Sequence, residues 1–271
     1  MAQSSHEDDW AFLFENLFVL SYYKNASLLF LSTTTGELMG QKNNYYVTTP
    51  IYYVTAAPHL GSLYSTLIAD VMARWQRLQG KSVFFATGTD EHGQKVAQAA
   101  LAAGKEPQTF VDQFIPIFKD VWRQYDIEYT TFIRTTDNHH KQGVEQFVRT
   151  LLASGDTYEA TYEGWYCTPC ETFVAQANSK DVMTPCPTCG RDTTWVSEQT
   201  TFFRLSAYQE KLLEFYRTHP DFITPKERLN EILSFVSEGL KDISLSRTSV
   251  EWGVPFPDHP ERVVYVWVDA F

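Results

Sequence analysis

Residues 45–93 decide the fold, and they read YYVTTPIYYVTAAPHLGSLYSTLIADVMARWQRLQGKSVFFATGTDEHG. The run at 45–49 is β-branched and aromatic and stops at a proline, which predicts a strand. Apolar residues then recur at helical spacing over 62–78, shortly before a glycine of the kind that commonly ends a helix. A short apolar strand is predicted at 83–87 and a second helix at about 94–103. This order, with its short connections, predicts a right-handed parallel βαβ unit.

Two loops of unusual composition follow the two predicted strands, at 50–61 and 88–93. In open parallel sheets, ligands bind beyond the carboxyl ends of the strands. Both loops belong to that end of the sheet, so the sequence predicts that they lie side by side at a ligand site.

The rest of the chain predicts more helices around a cysteine-bearing region. Helices are expected at about 107–124, 138–153, 207–217 and 225–240, with short strands and turns over 158–203 and a strand over 263–268. The fold class is therefore α/β.

The composition allows a sizeable core and argues mildly against a chain that binds RNA unaided. Of 271 residues, 44% are hydrophobic and 15% aromatic, and the formal net charge is −11. Proteins that bind nucleic acid through its phosphates usually present a basic face. Chemistry on small molecules remains open.

Residues 1–44 form an extension without an assigned role. Within it, the apolar segment 10–31 is interrupted by Glu15 and Lys24, whereas a membrane span needs about 18 or more apolar residues in succession. The chain opens with acidic residues rather than a basic secretory start, and 1–44 contains no Arg, unlike a mitochondrial transit peptide. We expect an intracellular, soluble protein with no membrane partner, in the cytoplasm, or in the mitochondrial matrix if it is an organellar copy.

The four cysteines form two matched pairs, Cys167 with Cys170 and Cys186 with Cys189. Each pair spans a tight turn that presents two sulfurs to one ion. Two such turns close a tetrahedral, four-thiolate zinc site without an open coordination position. Buried cysteines without a metal would not explain two matched pairs, so the spacing predicts a structural Zn²⁺.

The segment His59-Leu60-Gly61-Ser62 has the chemistry of a phosphate site. Gly61 allows backbone to approach a ligand closely, and the following helix offers free N–H groups and a positive dipole end. His59 can donate to the charge that develops when the α-phosphate of a nucleotide is attacked. A turn histidine that caps a helix explains the same four residues, so the pattern alone leaves both interpretations open.

Longer blocks around this segment resemble the class I aminoacyl-tRNA synthetases, and within them the methionyl-tRNA synthetases of bacterial and organellar type. The blocks are YVTTPIYYV (46–54), APHLG (57–61), ADVMARW (69–75), TGTDEHG (87–93), YEGWYC (162–167), LSR (245–247), WGVP (252–255) and YVWVDA (265–270). The resemblance covers about 45–271. It implies a Rossmann-like nucleotide-binding sheet, interrupted by a connective domain that carries the zinc knuckle.

The resemblance also implies a methionine pocket. Ile51 should contact the substrate, Tyr53 should pack on it, and Asp90 should hold its α-ammonium group. Trp267 and Ala270 should form the floor of the thioether pocket. The residue types suit the ligand, because a thioether favours aromatic edges and a desolvated ammonium needs a carboxylate.

For ATP, which the family uses with Mg²⁺, the resemblance assigns His59, Gly61 and Ser62. The fourth position of the signature is usually histidine, and Ser62 replaces it here. A serine hydroxyl can still donate a hydrogen bond, but it cannot become an imidazolium. The catalytic assignment falls on His59 and Ser62.

Three further histidines lack a spacing argument. His92 lies in the 88–93 loop, where a supporting role is open. His139 and His140 head a predicted helix and are expected to be solvated.

The resemblance implies a domain order and a missing part. Residues 45–125 would form the first half of the nucleotide-binding domain, 126–241 a connective insertion with its zinc knuckle at 167–189, and 242–271 the return to the catalytic domain. The family's second ATP signature, a Lys-Met-Ser-Lys-Ser loop, and its helical anticodon domain do not occur in the sequence. We therefore expect that the carboxy-terminal half of the fold is missing, which would expose an apolar sheet edge.

The implied activity is that of a methionine--tRNA ligase, which activates methionine with ATP to methionyl-adenylate and transfers it to tRNA(Met) through the missing carboxy-terminal region. Several alternatives remain. The chain could be an inactive fragment that binds zinc and methionine, or a synthetase for another amino acid. A small nucleotidyltransferase that shares the His-x-Gly-His signature would not explain the zinc knuckle.

Overall fold

Four parallel strands form the sheet predicted from residues 45–93. The computed structural model describes residues 44–168, 170, 172–174 and 180–270, so the predicted extension lies outside this part of the chain except for Asn44. The strands are β1 (Asn44–Thr48), β2 (Tyr52–Tyr53), β3 (Ser82–Asp90) and β4 (Thr131–Arg134). All three others pair with β3, and β2 pairs with its last two residues. The parallel βαβ prediction is confirmed, and the two loops do lie side by side.

Helices connect these strands, as the sequence predicted. They are α1 (Leu60–Leu78), α2 (Gln94–Ala102), α3 (Pro107–Asp112) and α4 (Ile115–Gln124). The single helix predicted over 107–124 is wrong, because a new helix starts at Ile115 with Pro116 in its first turn, where a residue without an N–H is tolerated. α1 buries Ala69 and Ala73, whereas Trp75 is 60% exposed.

A long antiparallel hairpin dominates the cysteine-bearing region. Its sheet contains β5 (Thr157–Cys167), β6 (Thr172–Phe173), β7 (Thr194–Phe203) and β8 (Ile243–Ser244), in the order β6-β5-β7-β8. The short strands predicted over 158–203 are wrong for β5 and β7, which have 11 and 10 residues. Their length follows from continuous cross-strand pairing, with aromatic pairs such as Trp165 against Trp195, whose ring centroids lie 5.5 Å apart.

Three further α-helices, a 3₁₀-helix (Leu205–Tyr208) and a small sheet follow in the described chain. The helices are α5 (Asn138–Ala153), α6 (Gln209–Thr218) and α7 (Lys226–Ser237), and the sheet contains β9 (Ser246–Arg247), β10 (Pro255–Phe256) and β11 (His259–Val264). The strand predicted over 263–268 is wrong after Val264. The chain turns into a short helix, α8 (Val266–Asp269), in which the N–H groups of Val268 and Asp269 donate to the carbonyl of Tyr265 at 2.8 and 3.1 Å.

Two hydrophobic clusters stabilise the packing of these sheets and helices. One lies between the parallel sheet and its helices and includes Phe85 and Trp122. The other lies among α5, α6, α7 and β11 and includes Leu212 and Val268. None of the helices in the described part of the chain combines the length and hydropathy needed to cross a bilayer.

Candidate functional site

The predicted phosphate segment forms the start of α1. His59 caps the helix, and its Nδ1 accepts a hydrogen bond from the N–H of Ser62 at 3.2 Å. Because Nδ1 is the acceptor, the proton of the neutral ring lies on Nε2, which leaves a donor on an exposed side chain. A Cβ on Gly61 would lie 2.8 Å from His59 Cε1, so a larger residue would displace the ring. The helix N-terminus and a donor histidine therefore lie together.

Ser62 lies beneath this segment rather than on its surface. The residue is 3% exposed, and its carbonyl accepts a hydrogen bond from Thr66 Oγ1 at 2.8 Å. Thr66 Oγ1 in turn lies 2.9 Å from the hydroxyl of Tyr52. The structure thus connects the start of α1 to the 50–61 loop through buried hydroxyl groups.

Three of the five residues predicted for methionine meet at the carboxyl end of β3. Asp90 ends the strand and is 5% exposed. Tyr53 is its partner in the parallel ladder, and half-buried Ile51 immediately precedes β2. The ammonium of Lys95 lies 4.5 Å from the centre of the Tyr53 ring.

The residue after Asp90 forms a buried ion pair that the sequence did not predict. Glu91 is fully buried and accepts two hydrogen bonds from Arg134, both of 2.8 Å. Thr89 and Thr136 donate to the same carboxylate at 2.6 and 2.5 Å. The hydrogen bond to Glu91 is the largest cause that raises the pKa of Arg134. Arg134 is the last residue of β4. Its ion pair with Glu91 forms only when β3 and β4 pair in the sheet, so no local sequence motif predicts it.

The other two predicted methionine residues, Trp267 and Ala270, lie on either side of Asp269, which contacts the 88–93 loop. Asp269 Oδ2 lies 2.6 Å from His92 Nδ1, and Oδ1 lies 3.0 Å from His140 Nε2. Trp267 and Ala270 are both half-buried on the same short segment as Asp269. The structure therefore brings the 88–93 loop and the YVWVDA segment together.

The expectation that His140 is solvated is wrong. Its Nε2 also lies 2.8 Å from the carbonyl oxygen of Asp269, and its side chain is 15% exposed. His139, on the neighbouring face of the helix, is exposed as expected. Burial raises the pKa of Asp269, but the hydrogen bonds from His140 and His92 outweigh it, and the pKa lies below its ordinary value.

Trp252 provides a further anchor for the 88–93 loop. Its Nε1–H donates to the carbonyl of Glu91 at 2.6 Å, and its own carbonyl accepts from the N–H of Gly93 at 3.0 Å. The rings of Trp252 and His92 meet edge to face, with centroids 5.3 Å apart. The 88–93 loop is thus held from two sides.

A small cavity lies beside this junction. It measures about 10 Å³, which is room for about one water molecule. His92, Tyr166, Arg247, Trp252 and Tyr265 are among its lining residues, whereas none of the five residues predicted for methionine lines it.

Arg247, the last residue of the LSR block at 245–247, is a further candidate residue. It is 5% exposed, and its guanidinium lies 4.2 Å from the centre of the Tyr265 ring. Its Nε lies 3.8 Å from Oε1 of the buried Glu198. The structure therefore holds a cation in the wall of the cavity.

The four cysteines form one cluster. Their Sγ atoms all lie within 4.8 Å of one another, with 3.6 Å between Cys167 and Cys189 and 3.8 Å between Cys170 and Cys186. Burial raises the pKa of Cys167 to about 11, whereas a hydrogen bond from the backbone at Arg191 lowers that of exposed Cys189 to about 7. The donor set and its closeness are compatible with a four-thiolate zinc site.

Comparison with known protein families and solved structures gives a consistent result. The family described as tRNA synthetases class I (M) matches residues 45–195 and 190–271. The methionine--tRNA ligase of Thermotoga maritima is 51% identical over 231 residues, which are 83% of this chain and 36% of that protein. That of Helicobacter pylori (strain J99) is 46% identical over 229 residues, which are 83% of this chain and 35% of that protein.

Solved structures agree in fold. Mycobacterium tuberculosis methionyl-tRNA synthetase in complex with methionyl-adenylate superposes with a TM-score of 0.80 at 46% identity, over 84% of this chain and 45% of that one. Its apo form gives a TM-score of 0.68 at 42% identity, over 86% of this chain and 45% of that one. The chain spans about a third of the length of the curated relatives it matches.

Proposed function

Because the chain belongs to the family of class I tRNA synthetases (M), we propose that it forms the methionine- and ATP-binding part of a methionine--tRNA ligase. The observation that carries the proposal is the register of β2 and β3, which sets Tyr53 beside Asp90 at the carboxyl end of the parallel sheet. In the complete reaction, a carboxylate oxygen of methionine attacks the α-phosphorus of ATP. Pyrophosphate leaves, and a hydroxyl of the terminal adenosine of tRNA(Met) then takes the methionyl group from methionyl-adenylate, which releases AMP.

The methionine site would have two walls, one formed by Ile51, Tyr53 and Asp90 and the other, the floor of the pocket, formed by Trp267 and Ala270. Asp90 replaces water around the α-ammonium group, and its burial strengthens that interaction. Ile51 and Tyr53 cover the substrate from the 50–61 loop. Trp267 and Ala270 form the floor under the thioether, which gains from contact with an aromatic edge.

The ATP site would lie at the start of α1. His59 donates from Nε2 to the charge that develops on the α-phosphate, and Gly61 keeps the ring and the helix N-terminus accessible. Ser62, being buried, contributes through its backbone and the position it gives to His59 rather than as an exposed hydroxyl. Mg²⁺ accompanies ATP and neutralises part of its charge. Catalysis of this kind depends on positioning and charge stabilisation.

The cysteine cluster would hold a structural Zn²⁺ in the connective insertion, over 126–241. Cys167, Cys170, Cys186 and Cys189 offer four sulfurs and leave no position for a substrate. The ion would fix the turns at one end of the β5–β7 hairpin. Contacts with tRNA(Met) would belong to the part of the relatives that this chain does not span.

A methionine titration of the 271-residue chain tests the proposal, with tryptophan fluorescence and calorimetry as readouts. Methionine should bind, and Asp90→Ala should weaken binding about tenfold or more, because it removes a buried charge-assisted contact. Asp120→Ala, on an exposed surface of α4, is the matched control and should bind like the wild type. Absence of methionine binding by the folded wild type would refute the proposal.

Exchange of labelled pyrophosphate into ATP then distinguishes a chain that is an active enzyme from one that is an inactive binding fragment. Methionine-dependent exchange by the chain alone would mean that its residues suffice for adenylate formation. Methionine binding without exchange would mean that this chain is a binding fragment and that catalysis needs the longer protein.

A further inference from the structure

We propose that Asp269 is a positioning residue that holds the two walls of the methionine site in register, with His92 and His140 as its hydrogen-bond donors. The inference rests on the proposed function, which supplies the ligand. It assigns a role to three residues that are not among those predicted to touch methionine, ATP or zinc.

The geometry at Asp269 uses both carboxylate oxygens. Oδ2 faces His92 Nδ1 at 2.6 Å, and Oδ1 faces His140 Nε2 at 3.0 Å. The same His140 nitrogen lies 2.8 Å from the carbonyl oxygen of Asp269. Since a carboxylate and a carbonyl only accept, the ring nitrogens that face them carry the protons. The side chain is 1% exposed, so neither oxygen is offered to solvent or to a ligand.

The three residues come from three different segments. His92 follows Asp90 by two positions in the loop after β3, Asp269 lies between Trp267 and Ala270, and His140 lies in the first turn of α5. One carboxylate therefore fixes the loop that carries the ammonium partner to the helix that carries the pocket floor. His140 anchors the same carboxylate to the insertion.

The energetics explain why a carboxylate occupies this position. Apolar packing of Val266 and Val268 fixes the depth of α8 but not its rotation, because hydrophobic contact is non-directional. Charge-assisted hydrogen bonds are short and directional. A shift of about 1 Å in a positioned group can reduce activity about a hundredfold, so a small rotation of α8 would matter at Trp267.

The alternative is that the network only stabilises the fold. Pairs of substitutions distinguish the two roles. His92→Asn and His140→Gln each place an amide N–H near the position of the ring nitrogen that donates to Asp269. His92→Ala and His140→Ala leave no donor there. Asp269→Asn keeps the volume of the side chain and removes its charge. His139→Ala, at the exposed neighbour of His140, is the matched control.

The experiment measures the methionine Kd of each variant at a temperature where circular dichroism shows a folded chain, together with hydrogen exchange. We expect Asp269→Asn and His140→Ala to raise the Kd about tenfold or more, His140→Gln to restore most of the affinity, and His139→Ala to have no effect. Amides of 91–93 and 265–270 should exchange faster in Asp269→Asn, while those of the β5–β7 hairpin keep their protection.

Two results would overturn the inference: an unchanged Kd in folded Asp269→Asn, or a loss of protection spread evenly over the chain, which indicates general destabilisation. If the wild type binds no methionine, the proposed function fails separately. Hydrogen exchange then tests the structural role of the network without a ligand. Faster exchange in Asp269→Asn that is confined to 91–93 and 265–270 would still show that Asp269 fixes these two segments to each other.

Discussion

Replacement of Arg134 by methionine should destabilise the chain by about 3 kcal/mol. Removing one partner of a buried ion pair costs about 3–5 kcal/mol, because the other charge stays buried and uncompensated. Glu91 is fully buried and receives two of its four hydrogen bonds from Arg134. Arg134 itself is 20% exposed, so water can partly replace it, and the lower end of the range applies. Methionine preserves the apolar contacts of the side-chain stem.

A double-mutant cycle isolates the interaction between Arg134 and the charge of Glu91. Glu91→Gln leaves an uncharged amide in the same space, so Arg134→Met should cost less in that background than in the wild type. We expect the coupling energy to be about 0.5–3 kcal/mol, typical of groups in direct contact. The measurement is urea unfolding followed by circular dichroism, with the slope compared between variants.

Arg149→Met is the matched control, because Arg149 forms exposed ion pairs with Glu145 and Asp258 at 3.0 and 3.1 Å. Exposed pairs are worth about 0–1 kcal/mol. The reasoning is refuted if Arg134→Met costs no more than Arg149→Met, or if Glu91→Gln fails to reduce the cost of removing Arg134.

Three further results are expected. The pKa of the Cys189 thiol is lowered to about 7, and the thiolate is the nucleophile. Alkylation of Cys189 in the zinc-free chain, measured by mass spectrometry, should therefore accelerate as the pH rises through 7 and should be suppressed by added Zn²⁺. A midpoint of the pH dependence near the ordinary thiol pKa would contradict this. Gly61→Ala should displace the His59 ring, which would lie 2.8 Å from the new Cβ, and should weaken ATP binding in calorimetry while the melting temperature is kept; undiminished ATP affinity would argue against His59 as a ligand. Trp252→Phe removes the donor to the carbonyl of Glu91 and should cost about 1–3 kcal/mol in urea unfolding, whereas a cost near zero would mean that water replaces the indole N–H.

The sequence predicted the elements that depend on local periodicity. The strand at 45–49 and the helix at 62–78 lie within two residues of β1 and α1, because proline and glycine end the apolar patterns. The carboxyl-end rule also predicted that the loops at 50–61 and 88–93 meet. This required only the direction of two strands, which a right-handed crossover fixes.

The errors have a common physical origin in contacts between distant segments. The run of β-branched and aromatic residues over 263–268 indicated a strand, yet the end of this run becomes helical, where Asp269 takes its hydrogen bonds from His92 and His140. Nothing near His140 in the chain reveals an acceptor 129 residues away. The length of the β5–β7 hairpin likewise comes from its register rather than from either strand alone.

The placement of the candidate site follows from the way the two hydrophobic clusters meet. Trp252 packs against the cluster of the parallel sheet, whereas Val254, two residues later, belongs to the other cluster. Apolar packing stabilises each cluster but leaves the orientation between them weakly specified. Directional contacts supply that orientation at the 88–93 loop, through the indole N–H on Glu91 and the imidazole on Asp269. A relative rotation of the clusters would change the contacts of any ligand that touches both, so the proposed methionine site would benefit from directional polar contacts placed directly beside it.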